Sequence, residues 1–245
     1  MDLFNVIELP QAVSTQTVLT EQDGRQPLDE FTVIYTSNQT GGRGQGSNVW
    51  ESEKGKNISF SLLLRPQFIA PSDQYILTQM ASLGVYSSLV KYVPQGVKIK
   101  WPNDVYVGQK KICGMLIQNK IIGNELSAVY IGIGLNVNQM EFTLAPNPTS
   151  LKLLTGRTFD LKTVLNEVLD NILFRYNQIK TMPHESIKQE YLSHLLFKDE
   201  WREYLYKGKR IKAKIVSVNG FGHVVFEQLN GTAGTCELKQ WQFIF

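Results

Sequence analysis

The sequence is poor in the residues that build disulfide-rich, metal-binding and membrane proteins. It has two cysteines and three histidines among 245 residues. Two cysteines cannot make a disulfide framework, so we expect a reducing compartment and a cytoplasmic protein. The histidines have no partners at metal-ligand spacing, which excludes a zinc signature. No apolar run approaches the roughly 18 residues that a membrane helix needs, so we expect no membrane association.

Neither positive nor negative residues are in large excess. The chain carries 25 Lys and Arg against 22 Asp and Glu, a net charge of +3, and the basic residues are scattered. Nucleic-acid binders cluster their basic residues on one face, so we expect no nucleic-acid partner. The P-loop and G-x-S-x-G signatures are absent, and Val137 replaces the third glycine of a dinucleotide fingerprint. With 42% hydrophobic residues, the chain can fill a sizeable core.

The periodic segments predict a mixed α/β domain over residues 1–198, followed by a small all-β domain over 199–245. After residue 199, glycines separate short runs of β-forming residues, which is typical of a small barrel. Helices are predicted to begin at Ser14, Ser72, Asp160 and Glu185. The predicted strands are 31–36, 57–64, 97–101, 105–107, 111–119, 126–137 and 211–218.

A glycine-rich stretch at residues 41–46 is the first candidate site. Four glycines in six positions exclude a helix or an ordinary strand. Backbone N–H groups in such a loop can converge on phosphate oxygens. Arg43 could pair with a carboxylate or phosphate, and Trp50 offers an apolar platform for a ring. A flexible surface loop is an alternative that composition alone leaves open.

Two further segments carry polar residues at strand ends. A hairpin between residues 104 and 111 would bring the Asp104 carboxylate near the Lys111 ammonium. The alternative is an exposed turn whose ion pair contributes roughly 0–1 kcal/mol. In G-I-G-L-N at residues 132–136, two glycines in a buried strand indicate close backbone approach, and Asn136 is the polar side chain at its end.

In this order and spacing, the segments resemble the catalytic domain of biotin protein ligases over essentially the whole chain. The resemblance rests on S-T-Q at 14–16, Q-T-G-G-R-G-Q-G-S-N-V-W at 39–50, K-W-P-N-D at 100–104, K-I-C-G at 111–114 and G-I-G-L-N at 132–136. It implies an α/β (α+β) mixed-sheet domain similar to class II aminoacyl-tRNA synthetases and biotin synthetase-like proteins. It also implies a C-terminal SH3-like β-barrel.

The resemblance implies a two-step reaction that uses biotin, ATP and Mg²⁺. The biotin carboxylate attacks the α-phosphate of ATP, which gives biotinyl-5′-adenylate and pyrophosphate. A lysine of a biotin carboxyl carrier protein, or of such a domain in an acyl-CoA carboxylase, then attacks the mixed anhydride. Bringing two anions together needs cations in a partly dry site. The enzyme is expected to be a monomer or a homodimer.

Roles for individual residues follow from the resemblance. Lys111 would bridge the carboxylate and the α-phosphate, Arg43 would hold the adenylate, and Asp104 would act as base or orienter. Ordering of residues 41–50 would close a lid. The biotin-binding residues are expected to be Ser14, Thr15, Gln16, Gln39, Arg43, Gly44, Gln45 and Lys111. The residues expected to bind ATP or the adenylate are Gly42, Arg43, Trp50, Lys100, Asn103 and Asn136.

The sequence departs from the family pattern at three positions. Gln16 stands where Asn is usual, Gln45 where many members have a second arginine, and Ser47 where they have glycine. Members that repress transcription carry an N-terminal helix-turn-helix. Because Ser14 lies almost at the start of the chain, we expect no repressor activity.

Two rival functions stay open. A lipoate ligase or octanoyl transferase resembles this fold but would lack K-W-P-N-D. A non-catalytic module could instead use its C-terminal barrel for protein contacts, but it would not explain why Arg43, Asp104 and Lys111 occur together.

Overall fold

A computed structural model describes residues 3–44, 46 and 48–245, apart from the Leu238 side chain. The predicted ligand residue Gln45 and the loop position Ser47 lie outside the described residues. Along the described chain, no helix has both the length and the apolar character needed to cross a membrane.

The first part of the chain contains nine strands and five helices in the described residues. The strands are β1 (Asn5–Glu8), β2 (Thr32–Thr36), β3 (Gly42–Arg43), β4 (Val49–Trp50), β5 (Ile58–Leu64), β6 (Val97–Lys100), β7 (Asp104–Val107), β8 (Lys110–Ile122) and β9 (Glu125–Leu135). The helices are α1 (Thr15–Arg25), α2 (Tyr75–Tyr92), α3 (Leu151–Thr155), α4 (Leu161–Thr181) and α5 (His184–Ser193).

Seven of these strands form one mixed sheet in the order β1-β2-β5-β9-β8-β7-β6. β1 and β2 run parallel, and the other neighbours run antiparallel. Strands β3 and β4 pair separately as a short hairpin. The prediction of a mixed α/β fold is therefore confirmed.

The two faces of this sheet are covered differently. One face packs against α2 and α4 in a large apolar core that includes Phe60 and Leu62 of β5. On the opposite face, Leu63 and Tyr130 pack with Leu19 of α1 in a smaller cluster. Side chains alternate between the two faces along each strand, so a single strand contributes to both.

Two predicted helix starts are confirmed by their caps. The Ser14 hydroxyl accepts a hydrogen bond from the Thr17 backbone N–H (3.3 Å), and the Asp160 carboxylate accepts one from Thr163 (2.8 Å). The helix predicted from Ser72 begins later, at Tyr75, because a 3₁₀ turn over Pro71–Asp73 precedes it.

The last part of the chain forms a second, five-stranded antiparallel sheet. Its strands are β10 (Arg202–Tyr206), β11 (Lys209–Val218), β12 (Val224–Gln228), β13 (Ala233–Cys236) and β14 (Trp241–Phe243), in the order β13-β12-β11-β10-β14. This C-terminal sheet packs against the β6–β7 hairpin. The buried Trp101 indole donates a hydrogen bond to the Gly222 carbonyl (2.9 Å), and Tyr106 stacks on Phe245 (5.5 Å between ring centroids).

Candidate functional site

A pocket of about 330 Å³ opens on the α1 side of the central sheet. Small-molecule sites usually enclose about 300–1,000 Å³, so the pocket can hold a small ligand or part of a larger one. Its lining comes from the start of α1, the glycine-rich loop, the β6–β7 hairpin and strands β5, β8 and β9. The predicted site residues that line it are Ser14, Thr15, Gln16, Gln39, Arg43, Gly44, Trp50, Lys100, Asn103, Asp104 and Lys111.

Glycines form the floor of this pocket. Gly114 of β8 pairs with Gly134 of β9, and the Trp50 indole lies across both. A Cβ at Gly134 would overlap the indole ring, and one at Gly114 would come within 3.1 Å of Trp50 and of the Lys111 ammonium. A Cβ at Gly132 would lie 2.7 Å from the Gln16 side-chain oxygen. The prediction that Gly132 and Gly134 permit close approach is therefore confirmed, and Gly114 does the same without having been predicted.

One side of the pocket is charged. The Lys111 ammonium lies 2.7 Å from the Asp104 carboxylate, and these side chains are 27% and 18% exposed. The predicted hairpin brings them together, because β7 runs antiparallel to β8 and pairs Tyr106 with Lys111. Lys100 lies nearby with its ammonium 4.6 Å from the Phe243 ring centre. Burial and the Lys111 charge lower the pKa of Lys100 below its ordinary value, although Asp104 opposes the shift.

Arg43 lines the same pocket from the glycine-rich loop, where its side chain is exposed. The loop contains a two-residue ladder, with Gly42 opposite Trp50 and Arg43 opposite Val49. The expectation that this stretch holds no ordinary strand therefore needs a small correction.

Another side of the pocket carries neutral polar groups. The Gln39 side-chain oxygen accepts a hydrogen bond from the Thr15 backbone N–H (2.9 Å), and the Thr15 and Ser61 hydroxyls are 2.9 Å apart. The Gln16 amide nitrogen donates to the Tyr130 carbonyl (3.0 Å). Within the described residues, the buried oxygen of that same Gln16 amide has no partner. A buried acceptor without a donor suits a ligand that supplies an N–H.

Two predicted ligand residues lie outside the pocket lining. The Asn136 amide donates to the Thr149 carbonyl (2.9 Å), so it anchors the segment that follows β9. Gly42 lies beneath the Gln39 amide and the Trp50 backbone. Nucleotide-binding roles for Asn136 and Gly42 stay predictions, as does the role of Gln45.

Sequence reasoning missed several pocket residues. Ser61 lines the pocket, and the alternation of serine with apolar residues along β5 was the signal for it. Lys239, which lies between β13 and β14 of the C-terminal sheet, also lines the pocket, and no sequence motif marks it. Trp101, part of the K-W-P-N-D signature, is buried in the contact with Gly222 rather than placed at the pocket. The next residue, Pro102, accepts a hydrogen bond from the Tyr191 hydroxyl (2.8 Å) through its carbonyl.

Comparisons with known proteins find similar sequences and similar structures. Residues 9–136 match the model of the Biotin/lipoate A/B protein ligase family. The fold is similar to that of a biotin protein ligase from Aquifex aeolicus solved in complex with biotin and ATP. That similarity has a TM-score of 0.79 and 28% sequence identity, and it covers 97% of each chain.

Two relatives of known sequence are longer than this chain. The bifunctional ligase/repressor BirA of Bacillus subtilis is 33% identical over 171 residues, which cover 68% of this chain and 52% of the relative. The human biotin–protein ligase is 31% identical over 142 residues, which cover 54% of this chain and 19% of the human protein. The matched region thus spans about half the length of the Bacillus protein.

Proposed function

The chain belongs to the biotin/lipoate A/B protein ligase family, and from this premise we propose that it attaches biotin to a carrier-protein lysine in two ATP-dependent steps. The observation that carries the proposal is the shared pocket of Arg43, Lys111 and Asp104, which also contains neutral hydrogen-bonding groups. The Aquifex aeolicus relative, solved with biotin and ATP, supports the choice of both ligands.

In the first step, a biotin carboxylate oxygen attacks the α-phosphorus of ATP. A new P–O bond forms, the bond between the α-phosphorus and the oxygen that bridges it to the β-phosphate breaks, and pyrophosphate leaves. Both reactants are anions, so the step needs positive charge placed before they meet. Lys111, held by Asp104 at 2.7 Å, supplies that charge from β8, and Arg43 supplies it from the glycine-rich loop.

The neutral side of the pocket is suited to the ureido ring of biotin. The ring offers N–H donors and a carbonyl acceptor without net charge. The free Gln16 oxygen can accept one N–H, and the Ser14 and Thr15 hydroxyls are also within the pocket lining. Trp50 lies on the glycine floor and offers its indole face to the adenine ring.

A Mg²⁺ ion bound together with ATP would neutralise charge on the phosphate oxygens. The described residues contain no group of three or more His, Cys, Asp or Glu side chains that could hold a metal. Asp104 and the Asn103 amide oxygen are oxygen donors at the pocket, and oxygen is what this ion prefers.

In the second step, the neutral amine of the carrier lysine attacks the carbonyl of the mixed anhydride. A C–N bond forms, the C–O bond to AMP breaks, and the amine loses a proton. An unperturbed lysine has a pKa of about 10.4, so its amine is mostly protonated at neutral pH and must lose a proton before it attacks. Asp104 already pairs with Lys111, and we assign it to orienting the charged groups rather than to taking the proton.

We also propose a fold for each of the two domains and a protein partner for the enzyme. Residues 1–198 would form the catalytic domain with the fold of class II aminoacyl-tRNA synthetases, and 199–245 an SH3-like barrel. The pairing of β11 has a bulge between Ile215 and Ser217. A bulge bends its strand, and strands must bend for a sheet to close into a barrel, so this feature supports the proposed barrel. The partner would be a biotin carboxyl carrier protein or domain, met by a monomer or homodimer.

Biotin-dependent exchange of pyrophosphate into ATP tests the first step. We expect Lys111→Ala to lower the exchange rate at least about 100-fold, because it removes preorganised charge from the reacting anions. Lys110→Ala is the matched control, since that side chain is exposed and outside the pocket lining. Near-normal exchange in Lys111→Ala would remove Lys111 from its role. Lipoate-dependent exchange would favour the lipoate ligase, and no exchange with either acid would favour the binding module.

A further inference from the structure

Glu51, which directly follows Trp50, holds a distant segment through four hydrogen bonds. One carboxylate oxygen accepts from the Thr143 backbone N–H (2.8 Å) and the Thr143 hydroxyl (3.0 Å). The other accepts from the backbone N–H groups of Leu144 (2.8 Å) and Ala145 (3.1 Å). We call Glu51 together with residues 143–145 the clasp.

The other end of this segment is tied to Lys111. The Lys111 backbone N–H donates to the Asn147 carbonyl (2.7 Å), and the Thr149 N–H donates to the Lys111 carbonyl (2.8 Å). Residues 143–149 therefore run from Glu51 to the backbone of the lysine assigned to the first step. The glycine-rich loop and β8 are joined through this short segment.

Within the described residues, Trp50 is also held by its pairing with Gly42 and by the Lys111 ammonium, 5.8 Å from its ring centre. Strand β4 has two residues, and its neighbour Val49 is exposed. In the described structure the buried Trp50 indole N–H has no hydrogen-bond partner, so packing on Gly114 and Gly134 is what positions the ring. Hydrogen bonds to a carboxylate are roughly twice as strong as neutral ones, so the clasp is a substantial anchor beside it.

We propose that Glu51 is a positioning residue whose clasp keeps Trp50 over the glycine floor and so retains the adenylate. This inference rests on the proposed ligase function. Burial raises the pKa of Glu51, but the N–H groups of residues 143–145 outweigh burial and hold it below the ordinary value. The Glu51 carboxylate is thus ionised at neutral pH and can accept all four hydrogen bonds of the clasp.

The test compares Glu51→Gln with the wild type in two measurements. The first is the rate at which preformed biotinyl-adenylate leaves the enzyme. We expect about 10-fold faster release and a similar rise in KM for ATP, with kcat within about twofold, because the charged acceptor that is lost does not itself line the pocket. The second is acrylamide quenching of Trp50 fluorescence, obtained by difference against Trp50→Phe. We expect easier quenching in Glu51→Gln.

Three further variants sharpen the test. Glu51→Asp keeps the carboxylate and should restore part of the retention. Thr143→Val removes one donor, and its effect should not add to that of Glu51→Gln, because both act on the same bonds. Glu53→Gln makes the same charge change at an exposed side chain two positions along, and it should behave as wild type.

The outcomes separate the two proposals. Unchanged release and unchanged quenching in Glu51→Gln, with normal exchange in the wild type, would overturn the clasp alone. No exchange in the wild type would overturn the ligase function and the retention role that rests on it. In that case, quenching would still show whether Glu51 holds Trp50.

Discussion

The two faces of the central sheet are made by the same strands but carry side chains of very different size. On the face toward α2 and α4, β5 presents Phe60 and Leu62, both fully buried. On the pocket face, the same strand presents Ser61. Strand β9 repeats the pattern, with Ile133 on the core face and Gly134 beneath Trp50. One side of the sheet thus carries large apolar side chains, whereas the other combines the glycines beneath the pocket with the smaller Leu63–Tyr130 cluster.

Because of this difference, residues that stabilise the fold alternate along a single strand with residues that form the binding pocket. Burying large apolar side chains supplies most of the favourable free energy of folding. Small residues on the opposite face weaken the strands, since glycine costs roughly 0.5–1 kcal/mol relative to alanine. In return, Trp50 and Gln16 can reach the backbone, as a larger residue at Gly134 or Gly132 would not allow. Substitutions on adjacent residues should therefore have different kinds of effect.

The largest effect on stability is expected on the core face. Leu62→Ala should lower the free energy of unfolding by about 2–5 kcal/mol, because it leaves a cavity at a fully buried site. The exchange rate per folded molecule should stay near that of the wild type. Urea unfolding measures the first quantity, and exchange corrected for the folded fraction measures the second. Leu229→Ala, at a largely exposed leucine, is the control and should change stability little.

The second-largest expected effect is a loss of activity caused by a substitution on the pocket face. Gly134→Ala should slow exchange about 100-fold, equivalent to about 2.7 kcal/mol, because the new methyl group displaces the Trp50 indole. Its unfolding free energy should change by less than about 1 kcal/mol. Gly220→Ala is the control, since a Cβ there meets nothing within 4 Å. Normal exchange in Gly134→Ala would show that the close approach of Trp50 to the sheet is not needed for binding.

Local signals made much of the fold predictable. The Ser14 and Asp160 caps act on backbone groups three residues away, so the sequence around each helix start contains the whole interaction. The Asp104–Lys111 pair was also accessible, because a hairpin joins residues that are seven apart. Helix α3 was missed because its five residues are too few for a visible period.

Long-range pairing made the rest unpredictable. Composition alone could not distinguish the glycine-rich loop from a surface loop. The contact that distinguishes them is between Trp50 and the backbone of Gly114 and Gly134, which come much later in the chain. Lys239 reaches the pocket only because the C-terminal sheet docks on the β6–β7 hairpin. The Glu51 clasp depends on residues more than ninety positions away. No spacing rule connects such residues.

The smallest expected effect is a pH dependence beneath α1, on the polar side of the sheet. The Asp23 carboxylate, 3% exposed, accepts hydrogen bonds from Arg65 (2.6 Å) and the Tyr130 hydroxyl (2.6 Å). Burial raises the pKa of Asp23, but the bonds from Tyr130 and the Leu28 N–H, with the Arg65 charge, bring it below its ordinary 3.8. Its stabilising contribution is therefore present above pH 3.8 and is lost as the pH falls through the lower folded value.

Replacing Asp23 by Asn removes that titration. Between about pH 6 and pH 3, the unfolding free energy of Asp23→Asn should fall by about 1 kcal/mol less than that of the wild type. Urea midpoints across this range measure the difference. Leu62→Ala is the control from the apolar face, and it should keep the wild-type pH slope because it carries no titrating group. An Asn variant with an unchanged slope would mean that the low-pH loss arises elsewhere, and that the two faces do not differ in this respect.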